Sequence, residues 1–179
     1  MRTSRPLRQL SLVLFEPDIP QNTGTIGRLC VAMGTPLHLI EPLGFEITDK
    51  NVKRAGLDYW KHLDLTIWPS WEAFYDQHGE HGRMIMSSAK SSKVVPYHQF
   101  EFKKDDFIIM GSETRGIPQW LLNPSEHPQP QEYTKPVLPL HRYVVKLPQW
   151  GQVRSLNIAN AASVLLYEAH RQTDSFVLD

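Results

Sequence analysis

Two rhythms of apolar and polar positions run along this chain. Short, mainly apolar runs stand at residues 10–15, 37–40, 83–86, 107–110 and 143–147, with a weaker one at 65–68. Between them the spacing is helical over residues 23–33, 50–55, 71–77 and 156–171. A strand that does not alternate is buried on both faces, and strands separated by helices are joined by crossovers. The pattern therefore predicts an α/β fold, with a mostly parallel sheet flanked by helices. In the first helix Ile26, Leu29, Cys30 and Met33 fall at i, i+3, i+4 and i+7, which makes one core stripe. Arg28 lies about 200° around the helix from Ile26, given about 100° per residue. It points away from that stripe, either as a solvated surface charge or as a functional cation.

No internal repeat divides the chain, and the length suits a single domain spanning residues 1–179. Two segments depart from the α/β pattern. Residues 1–9 form a basic N-terminal extension with Arg2, Arg5 and Arg8. Residues 123–142 contain Pro124, Pro128, Pro130, Pro136 and Pro139. Proline fixes its backbone angle and lacks an amide donor, so this stretch is expected to be a non-helical surface insertion.

Charge narrows the partners. Formal net charge is zero, so any affinity for nucleic acid must come from a local patch rather than from the whole molecule. Lys50, Lys53, Arg54, Lys90 and Lys93 are candidates together with the N-terminal arginines. The single cysteine, Cys30, excludes an internal disulfide and a cysteine zinc site, and on its apolar stripe it reads as a packed core thiol. No apolar run approaches the roughly 20 residues needed to span a bilayer. The apolar run after the arginines is too short for a signal peptide, so a cytoplasmic location is expected. The eight histidines show no HExxH spacing, and no GxSxG elbow is present. No metal site is expected.

Three segments carry candidate chemistry. Glu16-Pro17-Asp18-Ile19-Pro20-Gln21-Asn22-Thr23-Gly24 follows a strand and opens a helix, where ligands bind in α/β sheets. Asn22 or Thr23 can also simply cap that helix. Gly111-Ser112-Glu113-Thr114-Arg115-Gly116-Ile117-Pro118 follows the strand at 107–110. It lacks the Lys-Ser/Thr pair of a phosphate loop, and reads either as an ordinary turn or as one presenting backbone amides to a ligand. Arg154-Ser155-Leu156-Asn157-Ile158-Ala159-Asn160 opens the last helix with Ser155 as the expected N-cap. Asn157 and Asn160 lie three apart on one face, an expense of helix propensity that suggests a site.

Taken together these segments resemble the SPOUT class of methyltransferases, and within it the YibK/TrmL-like tRNA wobble-nucleotide 2'-O-methyltransferases. Asn22-Thr23-Gly24-Thr25-Ile26-Gly27-Arg28 is similar to the first motif, N-x-G-x-x-x-R. Gly111 to Gly116 matches the second, G-x-E-x-x-G, and Ser155-Leu156-Asn157 with Asn160 the third. The resemblance runs in order from about residue 10 to 172. It implies a C-terminal trefoil knot, S-adenosylmethionine as cofactor, tRNA as partner and a homodimer with its site at the subunit interface. It implies catalytic roles for Arg28, Glu113, Ser155 and Asn157. It implies cofactor contacts from Ser87, Gly111, Glu113, Leu147, Ser155 and Asn160, and substrate contacts from Asn22, Arg28 and Arg154. Alternatives within the resemblance are a ribosomal-RNA 2'-O-methyltransferase and a catalytically silent RNA-binding relative. Three features depart from the family pattern: the long proline-rich connection, Ser87 in place of an apolar residue, and the loop Gln149-Trp150-Gly151-Gln152-Val153.

Overall fold

A computed structural model of the protein describes residues 9–47, 59–80, 82–88, 94–133 and 135–173. Among these residues, seven parallel strands form one sheet: β1 (Ser11–Phe15), β2 (Leu37–Ile40), β3 (Leu65–Trp68), β4 (Arg83–Ser87), β5 (Val95–Pro96), β6 (Asp106–Met110) and β7 (Arg142–Lys146). Their order across the sheet is β3-β2-β1-β6-β4-β7-β5. The helices are α1 (Pro20–Met33), α2 (Trp71–His78), the short α3 (Gln119–Leu122) and α4 (Ile158–Gln172). The six strands and three of the helices expected from the apolar pattern are present. Short β5 and α3 carried too little periodicity to be seen. The helix expected at 50–55, the N-terminal extension except Gln9, and the basic candidates Lys50, Lys53, Arg54, Lys90 and Lys93 lie outside the described residues.

Both faces of the sheet are buried, which is why its strands read as unbroken apolar runs. Leu12 and Leu14 of β1 face one core, with Ile108 of β6, the α1 stripe of Ile26 and Cys30, and Ala162, Leu165 and Leu166 of α4. Val13 and Phe15 face the other, with Met84, Met86, Ile109 and the α2 residues Trp71 and Phe74. Burial in the first core raises the Cys30 thiol to about 12, so it is inert as a nucleophile. Helix starts differ from the sequence expectation. Pro20 occupies the first turn of α1 and Ile19 is its N-cap, so Asn22 and Thr23 lie inside the helix rather than capping it. Asn157, not Ser155, caps α4.

The proline-rich stretch is irregular and mostly at the surface, as proline demands, but part of it is docked on the core. Val137 is fully buried in the second core. The Trp71 indole donates to the Val137 carbonyl at 2.8 Å, and the Tyr75 hydroxyl donates to the Leu138 carbonyl at 3.2 Å. Its last residue, Arg142, already belongs to β7. Trp71 and Tyr75 of α2 are what the insertion docks on.

At the edge of the same core, His38 on β2 packs its ring among Trp68, Phe74, His78 and Phe107. It accepts the Trp68 indole N–H at 3.1 Å. Burial, with the neighbouring His78 adding to it, lowers its pKa to about 4. The unfolded chain therefore binds this proton below about 6.5 and the folded chain does not. The resulting stability is complete above that value and is lost as pH falls toward 4. Between pH 7 and pH 5 the loss is about 2 kcal/mol. His38→Phe keeps the ring packing and removes the titration. Urea unfolding at the two pH values should show a drop smaller by about that amount in the variant than in the parent protein. Equal drops would remove His38 from the acid response.

Candidate active site

The C-terminal ends of β4, β6 and β7 open into a single cavity of about 390 Å³, within the usual range for small-molecule sites. Ser87 ends β4, Gly111 follows β6 and Leu147 follows β7, and all three line it. The start of α1 contributes Asn22, and the segment before α4 contributes Arg154, Ser155 and Asn157. This is where parallel α/β sheets bind ligands, because strand ends and helix starts converge there. The turn after β6 folds back tightly on itself. The Gly116 amide donates to the Ser112 carbonyl at 2.8 Å, and Gly116 has φ +74°. A Cβ on Gly111 would collide with the peptide joining Gly116 to Ile117. Both glycines of the spacing are thus demanded by the backbone.

Glu113 sits at the tip of this turn and organises the other two motif segments. One carboxylate oxygen accepts the Asp18 amide at 2.8 Å, and the other accepts the Asn22 side-chain amide at 3.0 Å. Asn22 in turn accepts from the Asn157 side-chain amide at 3.0 Å. The Asn157 oxygen accepts the Ala159 and Asn160 amides at 2.9 and 3.3 Å, capping α4. An ionised carboxylate only accepts, so Asn22 must turn its NH2 toward Glu113 and its oxygen toward Asn157. Asn157 must then turn its own NH2 toward Asn22 and its oxygen toward the helix. One charge fixes the orientation of both amides.

Of the thirteen role assignments made from sequence, those to Ser87, Gly111, Glu113, Leu147, Ser155, Asn157, Asn22 and Arg154 fall on residues gathered round this cavity. Two residues stand apart within the single chain. Asn160 is exposed on α4 and joins only through its backbone amide to Asn157. Arg28 is exposed on α1, roughly 9 Å along the helix axis from Asn22. Its guanidinium lies over the Tyr59 ring at 5.0 Å, and the Tyr59 hydroxyl donates to the Gly24 carbonyl at 2.7 Å. Sequence reasoning also passed over Glu16 and Arg115, which pair at 3.0 Å behind the turn. Glu16 has φ +47°, a conformation an L side chain rarely adopts.

Residues 9–128 match the family model described as the SpoU rRNA Methylase family. The chain belongs to this family. It is 41% identical over 162 residues to a protein of Saccharophagus degradans named tRNA (cytidine(34)-2'-O)-methyltransferase, covering 90% of this chain and 94% of that one. A solved structure described as giving structural insights into the 2-OH methylation of C/U34 on tRNA superposes with a TM-score of 0.75 at 39% identity, over 91% of this chain and 95% of its own. The SpoU methyltransferase AviRb from Streptomyces viridochromogenes, solved in complex with the cofactor AdoMet, superposes with a TM-score of 0.69 at 25% identity, over 93% of this chain and 59% of its own. The seven-stranded parallel sheet is thus the SpoU-family fold. Among the described residues of this SpoU-family chain, no helix is long and apolar enough to cross a membrane, and no cluster of acidic, histidine or cysteine side chains could hold a metal.

The hydrogen-bond chain makes a prediction about residues that do not touch. Glu113→Gln leaves two donors facing a side chain with one oxygen, and relief requires Asn22 and then Asn157 to turn over. The substitution should cost on the order of 2 kcal/mol in urea unfolding despite its small change in shape. Combined with Asn157→Ala it should show a coupling of about 0.5 kcal/mol or more, since both changes break one network. Strictly additive losses would dissolve the chain into independent contacts.

Proposed function

We propose that this SpoU-family chain transfers a methyl group from S-adenosylmethionine to the ribose 2'-hydroxyl of nucleotide 34, the wobble position, in tRNA anticodon loops. The observation that carries the reading is the joining of all three motif segments around one cavity by the Glu113–Asn22–Asn157 chain. The names of relatives that align with nearly the whole chain support tRNA over ribosomal RNA. A single methyltransferase domain over residues 1–179 and a cytoplasmic location accord with that reading.

The residues present suit S-adenosylmethionine. Ile117, Leu147 and Ile158 offer apolar wall for an adenine ring, while Ser87, Gly111 and Ser155 bring polar groups to the same space. When bound, the cofactor supplies a methyl group already activated by the positive charge on its sulfur. The remaining work falls to the protein. The ribose hydroxyl is a weak acid that must lose its proton as it attacks. A guanidinium gives up its proton only with great difficulty in water, so Arg28 is unsuited to be a base. Its role is to stabilise the developing alkoxide or orient a neighbouring phosphate. Such electrostatic preorganisation is worth about 10²–10³ in rate. Glu113 holds the cavity rim, Ser155 and Asn157 position cofactor and substrate, and Arg154 at the rim is available to RNA phosphate. Holding the two substrates in line contributes much of the rest.

Two structural proposals complete the reading. The chain forms a homodimer whose site is shared across the interface, which would bring Arg28, outside the single-chain cavity, to the cavity of a second copy. Exposed apolar side chains on and before α4, Leu156, Val164 and Tyr167, support such an interface. The C-terminal segment is tied in a trefoil knot. The sheet order supports this, since β7, last in sequence, lies between β4 and β5. Knots are otherwise almost absent from proteins.

Incubation of purified protein with labelled S-adenosylmethionine and tRNA from a strain lacking the gene should label ribose 34 alone. Label in ribosomal RNA, or elsewhere in tRNA, would overturn the substrate while keeping the reaction. Arg28→Ala should fold normally, because the side chain lies off the core. It should lose roughly 10²-fold or more in turnover. Near-normal activity would exclude Arg28 from the mechanism. Light scattering of the parent protein should give twice the 20.6 kDa chain mass. A monomer that still methylates would refute the shared site.

A further inference from the structure

The loops bearing Glu113 and Asn22 grip each other in both directions, and the second grip belongs to a residue with no role so far. Glu113 reaches from the turn after β6 to the Asp18 backbone. Asp18 reaches back. Its carboxylate accepts from the hydroxyls of Ser112 and Thr114, and at 3.4 Å from the Thr114 amide. The same carboxylate lies 3.6 Å from the Arg115 guanidinium. The Ser112 hydrogen bond, followed by that of Thr114, holds the Asp18 carboxyl below the ordinary carboxylate range, so it stays ionised at neutral pH.

A third element closes on Asp18 from behind. The Gly44 amide donates to the Pro17 carbonyl at 2.9 Å. A Cβ on Gly44 would stand 2.8 Å from the Asp18 Cα and 2.9 Å from its carbonyl oxygen, so the loop after β2 abuts Asp18 at a distance only glycine allows. Asp18 itself does not line the cavity and touches no core side chain in these contacts. The partners of its carboxylate, among the described residues, are Ser112, Thr114 and Arg115 of the turn that presents Glu113.

We infer that Asp18 is a positioning residue for methyl transfer: through Ser112, Thr114 and Arg115 it fixes the turn from which Glu113 orients Asn22 and Asn157, with Gly44 as its backstop. The inference rests on the methyltransferase reading for its rate consequence, and on geometry alone for the clasp.

The test uses the full-length protein, with Asp18→Ala, the pair Ser112→Ala/Thr114→Val, all three together, and Asp18→Asn. Turnover and KM for tRNA are measured beside amide hydrogen exchange over residues 110–117. Asp18→Ala should lower kcat at least tenfold with KM for tRNA within threefold, and should speed exchange in the turn at least tenfold. The triple variant should be no worse than Asp18→Ala, because residues acting as one unit are not additive. Asp18→Asn, which still accepts from the hydroxyls, should recover part of the loss. If Asp18→Ala does not fold, the Ser112/Thr114 pair, which leaves the acid in place, carries the same expectation. A kcat within threefold of the parent, or a loss that only follows the melting temperature, overturns the positioning role. Unchanged exchange in the turn overturns the clasp itself. Absence of methyl transfer by the parent protein would sink the proposed function instead, and the exchange result would still decide the clasp.

Discussion

A single carboxylate that can only accept hydrogen bonds sets the polarity of everything around the cavity. Glu113 takes one donor from the backbone of the first motif loop and one from Asn22, which forces the amide of Asn22 and then that of Asn157. The chain ends by capping α4, so the last helix of the fold begins where the site requires it to begin. The geometry of the cavity rim and helix initiation are therefore one structure. Asn157 costs helix propensity only if placed in a helix interior, and as N-cap it stabilises the helix instead.

The constraint works because the sheet brings its ends together. β1 and β6 are neighbours, and β4 lies between β6 and β7. The loops after these strands consequently leave the sheet at one end, although the strands they follow close at Phe15, Ser87, Met110 and Lys146. Parallel pairing guarantees that all of them leave on the same side. The two cores above and below the sheet hold the strands in register, and the insertion adds to one of them through Val137 and the α2 aromatics. Its docking lies on the α2 face, so an extension of the chain is absorbed without entering the cavity.

Charge is arranged in the same economical way. The carboxylates of Glu16 and Asp18 share Arg115, so part of the local acidity is compensated beside the site. Burial is the main influence on Glu16 and raises its pKa, against the pull of Arg115. Glu16 also holds a positive φ of 47°, a conformation an L side chain rarely adopts.

The sequence by itself determined the layered α/β architecture, because apolar runs buried on both faces and helical stripes such as Ile26, Leu29, Cys30 and Met33 follow from local periodicity. It also determined the three motif loops, since glycine and asparagine at strand ends and helix starts have local backbone meanings. It did not determine that Asn157 rather than Ser155 caps α4, that Asn22 lies within α1, or that Val137 is core. The first two are settled by helix starts that several nearby residues could have supplied, and the side chains are then fixed by distant partners: Asn22 and Glu113 are 91 residues apart, and Trp71 and Val137 are 66. Local pattern reports how a residue prefers to sit, whereas a hydrogen bond across the sheet decides which of several acceptable positions it takes. The roles of Asp18 and Gly44 belong to the same class, because a carboxylate between two hydroxyls and a glycine against a backbone acquire meaning only when folding brings those groups together.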